Sequence, residues 1–203
     1  MKRFPAIAIV EFHRISAGMY ATDAMVKKAP IAVLKCGVIS QGRYLALIGG
    51  STAAVDESYA EGLSSGGDDV MDRVLLPDVH PQLHDALLGL RAPGRAGAMA
   101  IIETPTVSCN VRAAEMALKG TPVDLLEIRL ADALLCGKGV SIYRGALYDI
   151  QAAVDIAVPF LRKTGVDVAC RVIPSPHESF ARQVDANTNF LGGEVTEMPG
   201  EAG

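Results

Sequence analysis

The sequence predicts an α+β protein of two tandem split β-α-β (ferredoxin-like) domains, each an antiparallel sheet with helices on one face. Three observations predict it. The chain repeats itself at a spacing of about 92 residues. Each copy is near the lower end of ordinary domain length. Within each copy, strand-like and helix-like apolar periods alternate in one fixed order.

The repeat is read directly from the residues. Ala6-Ile7-Ala8-Ile9-Val10-Glu11 returns as Ala98-Met99-Ala100-Ile101-Ile102-Glu103. At the same offset Ser16 falls on Ser108, Ala21 on Ala113, Lys27 on Lys119 and Pro30 on Pro122. Further on, Gly42-Arg43 matches Gly137-Lys138, and Leu76-Pro77-Asp78-Val79-His80 matches Ile173-Pro174-Ser175-Pro176-His177. The offset grows only in small steps and order is kept, so this is a duplicated domain with loop insertions. A period this long indicates tandem domains rather than a solenoid.

Taken in order, the first copy opens with a short apolar run, Ala6 to Glu11, which reads as a strand. Ser16 is placed to cap a helix, and Ala17, Tyr20, Ala21 and Ala24 then recur along one helical face. Pro30 stops that helix. Ile31 to Ile39 and Tyr44 to Ile48 read as a hairpin around Ser40-Gln41-Gly42. Thr52 to Leu63 is helical in composition, Val70 to Leu76 is a strand, and a short helix follows from about Pro81. The second copy repeats the order: strand 98–103, helix 108–119, strands 123–130 and 139–144, helix 147–163, strand 167–173 and short helix 177–185. Residues 1–90 are therefore the first domain, 91–97 a Gly/Pro/Arg linker, 98–186 the second domain, and 187–203 a flexible polar tail without a helix or strand period.

Half of the residues are hydrophobic, so each copy can bury a core, but Trp is absent and Ala, Val, Ile and Leu must do the packing. A net charge of −4 argues against a nucleic-acid footprint. No apolar run is long enough for a membrane span, and the N-terminus lacks the pattern of a signal peptide. A cytoplasmic protein is expected, with Cys36, Cys109, Cys136 and Cys170 as reduced thiols.

Catalytic signatures are missing. The chain has no dinucleotide fingerprint, no P-loop and no His-Glu-x-x-His. His80 and His84 are spaced to share a metal on a helix face, but without a third ligand nearby satisfied or solvated histidines are expected. Glu11 and Glu103 are equivalent carboxylates, expected to share a structural role at a strand end rather than acid/base work. The expectation is that the protein is not an enzyme.

A resemblance then emerges from several motifs in series. Ile9-Val10-Glu11, Asp23-Ala24-Met25-Val26-Lys27, Gln41-Gly42-Arg43-Tyr44-Leu45 and Gly49-Gly50 resemble a bacterial microcompartment shell domain. The second copy supplies Ile102-Glu103, Ala117-Leu118-Lys119, Cys136-Gly137-Lys138, Arg144-Gly145 and the ending Val172 to His177. Two unpermuted copies resemble the tandem-domain shell proteins, including those of propanediol-utilisation microcompartments.

That resemblance implies a homotrimer that mimics a hexamer, set in a microcompartment shell beside other shell proteins and near encapsulated enzymes. A tandem repeat closed by three-fold symmetry gives six similar wedges of two kinds. The hairpins between second and third strands would face the axis, so Ile39, Ser40, Gln41 and Gly42, with Leu134, Leu135, Cys136 and Gly137, are the expected pore lining. Lys27 and Lys119 would mark the tile edge. Many family members carry an arginine where this chain has Asp78 and Ser175, so the resemblance implies edge packing that is weaker or needs a particular neighbour. Some relatives hold a 4Fe-4S cluster on the axis through one first-copy cysteine per chain. Ser40 stands at that position here, which leaves Cys136 as the candidate ligand, against the plainer reading of a thiol packed beside Leu134 and Leu135. No cofactor is the expectation. Cys36, Cys109 and Cys170 are expected in the core. The alternative function is a metabolite-binding or sensory tandem module with its ligand between the copies.

Overall fold

The protein is described from a computed structural model, which describes residues 3–94, 96–195, 198 and 200. The first domain runs β1 (Ala6–Phe12), α1 (Ile15–Lys28), β2 (Val33–Ile39), β3 (Arg43–Gly50), α2 (Thr52–Gly66), β4 (Val70–Leu76) and α3 (Pro81–Leu87). The second repeats it as β5 (Ala98–Thr104), α4 (Val107–Gly120), β6 (Asp124–Leu130), β7 (Gly139–Gly145), α5 (Leu147–Lys163), β8 (Ala169–Ile173) and α6 (Glu178–Ala186). Arg95 in the linker and residues 196, 197, 199 and 201–203 of the tail lie outside the described residues. Within the tail, Phe190–Gly192 forms a 3-10 turn where none was expected.

Each sheet has four antiparallel strands, in the order β2-β3-β1-β4 and β6-β7-β5-β8. The registers match pair for pair: Ala6 faces Gly50 as Ala98 faces Gly145, and Ile7 faces Leu76 as Met99 faces Ile173. The two copies are thus equivalent in space at the offsets read from sequence.

Helices cover both faces, not one. Ala6, Ala8, Val10 and Phe12 share a core with Ala21 and Met25 of α1 and Val55 of α2. The alternate residues Ile7 and Ile9 point the other way and share a core with Leu83 and Leu87 of α3. In the second domain Met99 and Ile101 pack with Val184 of α6 in the same manner. The cause lies in the central strands, where side chains alternate between faces and both alternating sets are apolar. One further expectation fails: Ser16 lies inside α1, whose N-cap is Arg14 with no side-chain cap. Arg14 instead donates to Asp69 at 2.5 Å.

Candidate functional site

The two domains meet along a seam in which α4 lies across β1 and β4 of the first domain. The Glu11 carboxylate accepts from the Ser108 N–H at 2.6 Å, at the first turn of α4. Helix N-termini favour such an anion because their first N–H groups lack intrahelical partners. Arg112 donates to the Arg73 carbonyl at 2.7 Å, and Glu115 accepts from the His80 N–H at 3.0 Å. Lys119 donates to the Asp78 carbonyl at 2.5 Å and pairs with Glu115 at 2.8 Å. Ser108, Arg112, Glu115 and Lys119 recur every three or four residues, so they form one stripe of the helix. Thr106, the N-cap, also donates to Asp72. Glu11 is fully buried, and burial raises its carboxyl pKa against the opposing effect of the Ser108 N–H. Among the described residues its second oxygen has no partner.

At one end of the seam the two predicted pore loops touch each other. The Ser40 hydroxyl donates to the Ala131 carbonyl at 2.9 Å and accepts from the Gly137 N–H at 2.7 Å. The Arg43 guanidinium reaches the Gly137 carbonyl at 3.4 Å. Gly137 has φ +81 and packs so closely on Arg43 and Gln41 that a Cβ there would overlap them. Ile39, Ser40 and Leu135 are half-buried and Gly137 is buried, whereas Gln41, Gly42, Leu134 and Cys136 are exposed. The two aligned loops are therefore in contact within one chain, with Ser40 of the first bonded to Ala131 and Gly137 of the second.

The other predicted residues separate. Lys119 and Asp78 come together at the seam, 3.6 Å apart as an ion pair. Lys27 is exposed and pairs with Asp23 of its own helix at 2.5 Å, and Ser175 is exposed on the far side of the second domain. The histidines are structural: His80 caps α3 through Nδ1, and His84, buried, accepts from the Phe4 N–H at 3.2 Å. Among the described residues no group of three His, Cys, Asp or Glu is placed to hold a metal within one chain.

All four thiols are unpaired as disulfides, and Cys36 corrects an expectation. It is exposed, because β2 is the edge strand of its sheet and no described residue covers that position. Cys109 is buried and Cys170 half-buried; burial pushes the Cys109 thiol up to about 11. Cys136 is exposed at a left-handed φ of 47°, not packed beside Leu134 and Leu135.

A cavity of about 500 Å³ opens beside the seam, lined among others by Lys35, Val38, Leu47, Leu87, Glu127 and Arg129. Two of its charged side chains are already paired, Arg129 with Asp132 at 2.7 Å and Glu127 with Arg91 at 2.7 Å. The seam partners Asp72, Arg112 and Glu115 escaped the sequence reading because each is an ordinary surface residue of its own copy. The signal that could have found them is charge spaced at three and four along a helix whose first-copy counterpart carries Tyr20 and Asp23.

Comparison with known proteins agrees with this architecture. The BMC domain family matches residues 6–79 and 98–176. The chain is 35% identical over 179 residues to the bacterial microcompartment shell protein PduT of Citrobacter freundii, covering 88% of this chain and 97% of that protein. A crystal structure of a microcompartment protein from Desulfitobacterium hafniense superposes with TM-score 0.79 at 34% identity, covering 88% of this chain and 99% of the other. The fused permuted hexameric shell protein MSM0275 of the RMM microcompartment gives TM-score 0.55 at 20% identity over 77% and 81% of the two chains, a likeness of fold alone.

Proposed function

The chain belongs to the BMC-domain family of bacterial microcompartment shell proteins, and from that premise we propose that three copies close into a pseudohexameric tile perforated by a central pore. Its role is structural, as part of a shell, rather than enzymatic.

The observation that carries the trimer is the unequal exposure of matched surfaces. The α4 stripe is covered by the first domain, whereas the matched stripe of α1 is bare: Met19 is 53% and Val26 38% exposed, against 0% and 4% for Val111 and Leu118. A closed ring of alternating copies would cover both, since three-fold closure makes every domain the neighbour of the other kind.

In that ring the touching loops would surround the axis. Gln41, Gly42, Leu134 and Cys136 would line the opening, and Ser40 would brace it through Ala131 and Gly137 rather than face the channel. The lining is polar on one loop and partly apolar on the other, which suits passage of small uncharged or polar metabolites. Lys119 against Asp78 forms one rim corner of the tile, and Lys27 with Ser175 would form the other, where tiles meet.

One observation favours a second reading, in which the pore passes electrons. Cys136 is an exposed thiol on the loop that would face the axis. Three such thiolates could hold three irons of a 4Fe-4S cluster, which would supply one-electron chemistry. The cofactor-free pore is the principal reading, because Ser40 occupies the place of the first-copy ligand. Iron analysis and visible absorption after anaerobic reconstitution separate the two: a colourless, iron-free protein supports the plain pore.

The tile reading is tested by mixing the protein with single-domain hexameric shell proteins. It should enter mixed sheets, and the Lys27→Asp/Lys119→Asp variant should enter at least several-fold less. Sheets that never contain the protein would contradict a shell tile, and equal entry of the variant would contradict the edge.

A further inference from the structure

We propose that Glu103 of one chain caps the first turn of α1 in the next chain, repeating between chains the Glu11–Ser108 bond made within each. The proposal rests on the trimer reading and names the contact that closes it.

Strand register makes Glu103 the counterpart of Glu11, and Ser16 is the counterpart of Ser108. Glu103 follows Met99 and Ile101 at every second residue along β5, so it lies on their face, away from α4 and α5, as Glu11 points away from α1 and α2. Glu11 is buried in its cap, while Glu103 is only half-buried and meets Lys138 at 3.2 Å. The receiving helix is correspondingly incomplete. Thr106 caps α4, but Arg14 at the same place in α1 provides no side-chain acceptor. Ser16 is exposed where Ser108 is buried.

Surfaces around this cap match a second copy of the chain. Leu83 of α3 is fully buried at the inner seam, and its counterpart on α6, Phe180, is 46% exposed. Phe180 thus stands on the side of the second domain that would face the bare Met19 and Val26. Asp23 and Lys27 form the same i, i+4 pair as Glu115 and Lys119. Glu115 accepts the N–H of His80, and the corresponding N–H of His177 begins the exposed N-cap of α6. The outer seam is not identical, because Asp72 and Arg112 are replaced by Ala169 and Tyr20. It loses the Thr106–Asp72 and Arg112–Arg73 bonds, which leaves the carboxylate cap as a larger share of its polar contacts.

The experiment is hydrogen exchange and sedimentation on the full chain, with Glu103→Ala, Glu103→Gln and Lys138→Ala. In the wild-type trimer the Ser16 and Ala17 amides should be protected. Glu103→Ala should speed their exchange about tenfold and weaken the trimer about tenfold per seam. Glu103→Gln keeps an acceptor and should restore much of both, and Lys138→Ala should leave both near wild type. Unchanged exchange in Glu103→Ala, an equal effect of Lys138→Ala, or unfolding of the Glu103→Ala chain itself would overturn the cap while leaving the trimer standing. A monomeric wild type would overturn the trimer reading, and the cap with it.

Discussion

The carboxylate of Glu11, at the end of β1, accepts a hydrogen bond of 2.6 Å from the backbone N–H of Ser108, which opens the equivalent helix of the other domain. One residue of the first copy thereby completes the first turn of a helix in the second. The bond joins the two copies through the very positions by which they are recognised as copies.

This cap gives a pH prediction with a definite sign. Burial raises the folded pKa of Glu11 above the unfolded value of 4.5. Its contribution to stability is fully present below that value and is lost as pH rises through the raised folded pKa. Glu11→Gln keeps an acceptor for Ser108 without a buried charge, so it should gain on wild type as pH rises. Glu11→Ala should lose about 1–2 kcal/mol by leaving the cap empty. Denaturant unfolding of both variants between pH 4 and 8 (roughly the span of interest for a carboxyl group) checks this; a gap between Gln and wild type that ignores pH would contradict it.

Much of this was legible in the sequence, and Glu11 shows where legibility stopped. The apolar runs, Pro30 and the paired glycines placed the strands and helices, because each is a local signal. The duplication gave the domain pairing. What could not be read was which copy's helix would be covered. Glu11 and Glu103 are the same residue in the same local setting, yet one is fully buried and the other only half-buried, and that depends on a partner surface distant in sequence. The third helix lies where its sequence places it, from Pro81, but it covers the second face of the sheet for a similar reason: Ile7 and Ile9 announce a second apolar face, though not which segment fills it. Among the loops, the contact of Ser40 with Gly137 joins residues far apart in the chain, so no local pattern reports it.

Leu83 and Phe180 should separate stability of the chain from stability of the assembly. Leu83→Ala empties a fully buried site and should cost about 2–5 kcal/mol in unfolding free energy. Phe180→Ala touches an exposed side chain and should cost the isolated chain about 0.5 kcal/mol. Its effect should appear as a weaker trimer, by roughly tenfold, in sedimentation over a dilution series. An equal loss of chain stability in both variants would contradict the division.

Pore lining is tested at Gln41, which is exposed and takes no part in fixing Ser40. Gln41→Glu or Gln41→Trp should leave the fold intact and change metabolite flux through reconstituted shells. Ser40→Ala should act differently, releasing the Gly137 N–H and loosening the contact between the loops, while the Ser40 N–H still holds the Ala131 carbonyl at 3.1 Å. Flux of every tested metabolite unchanged in the Gln41 variants would remove that residue from the lining.

The most direct test of the account is the mass of the purified protein in solution, measured by light scattering without added ligand. Three-fold closure predicts a single species of about 64 kDa, three times the 21.3 kDa chain. A species that remains at the mass of one chain across the accessible concentration range would contradict it.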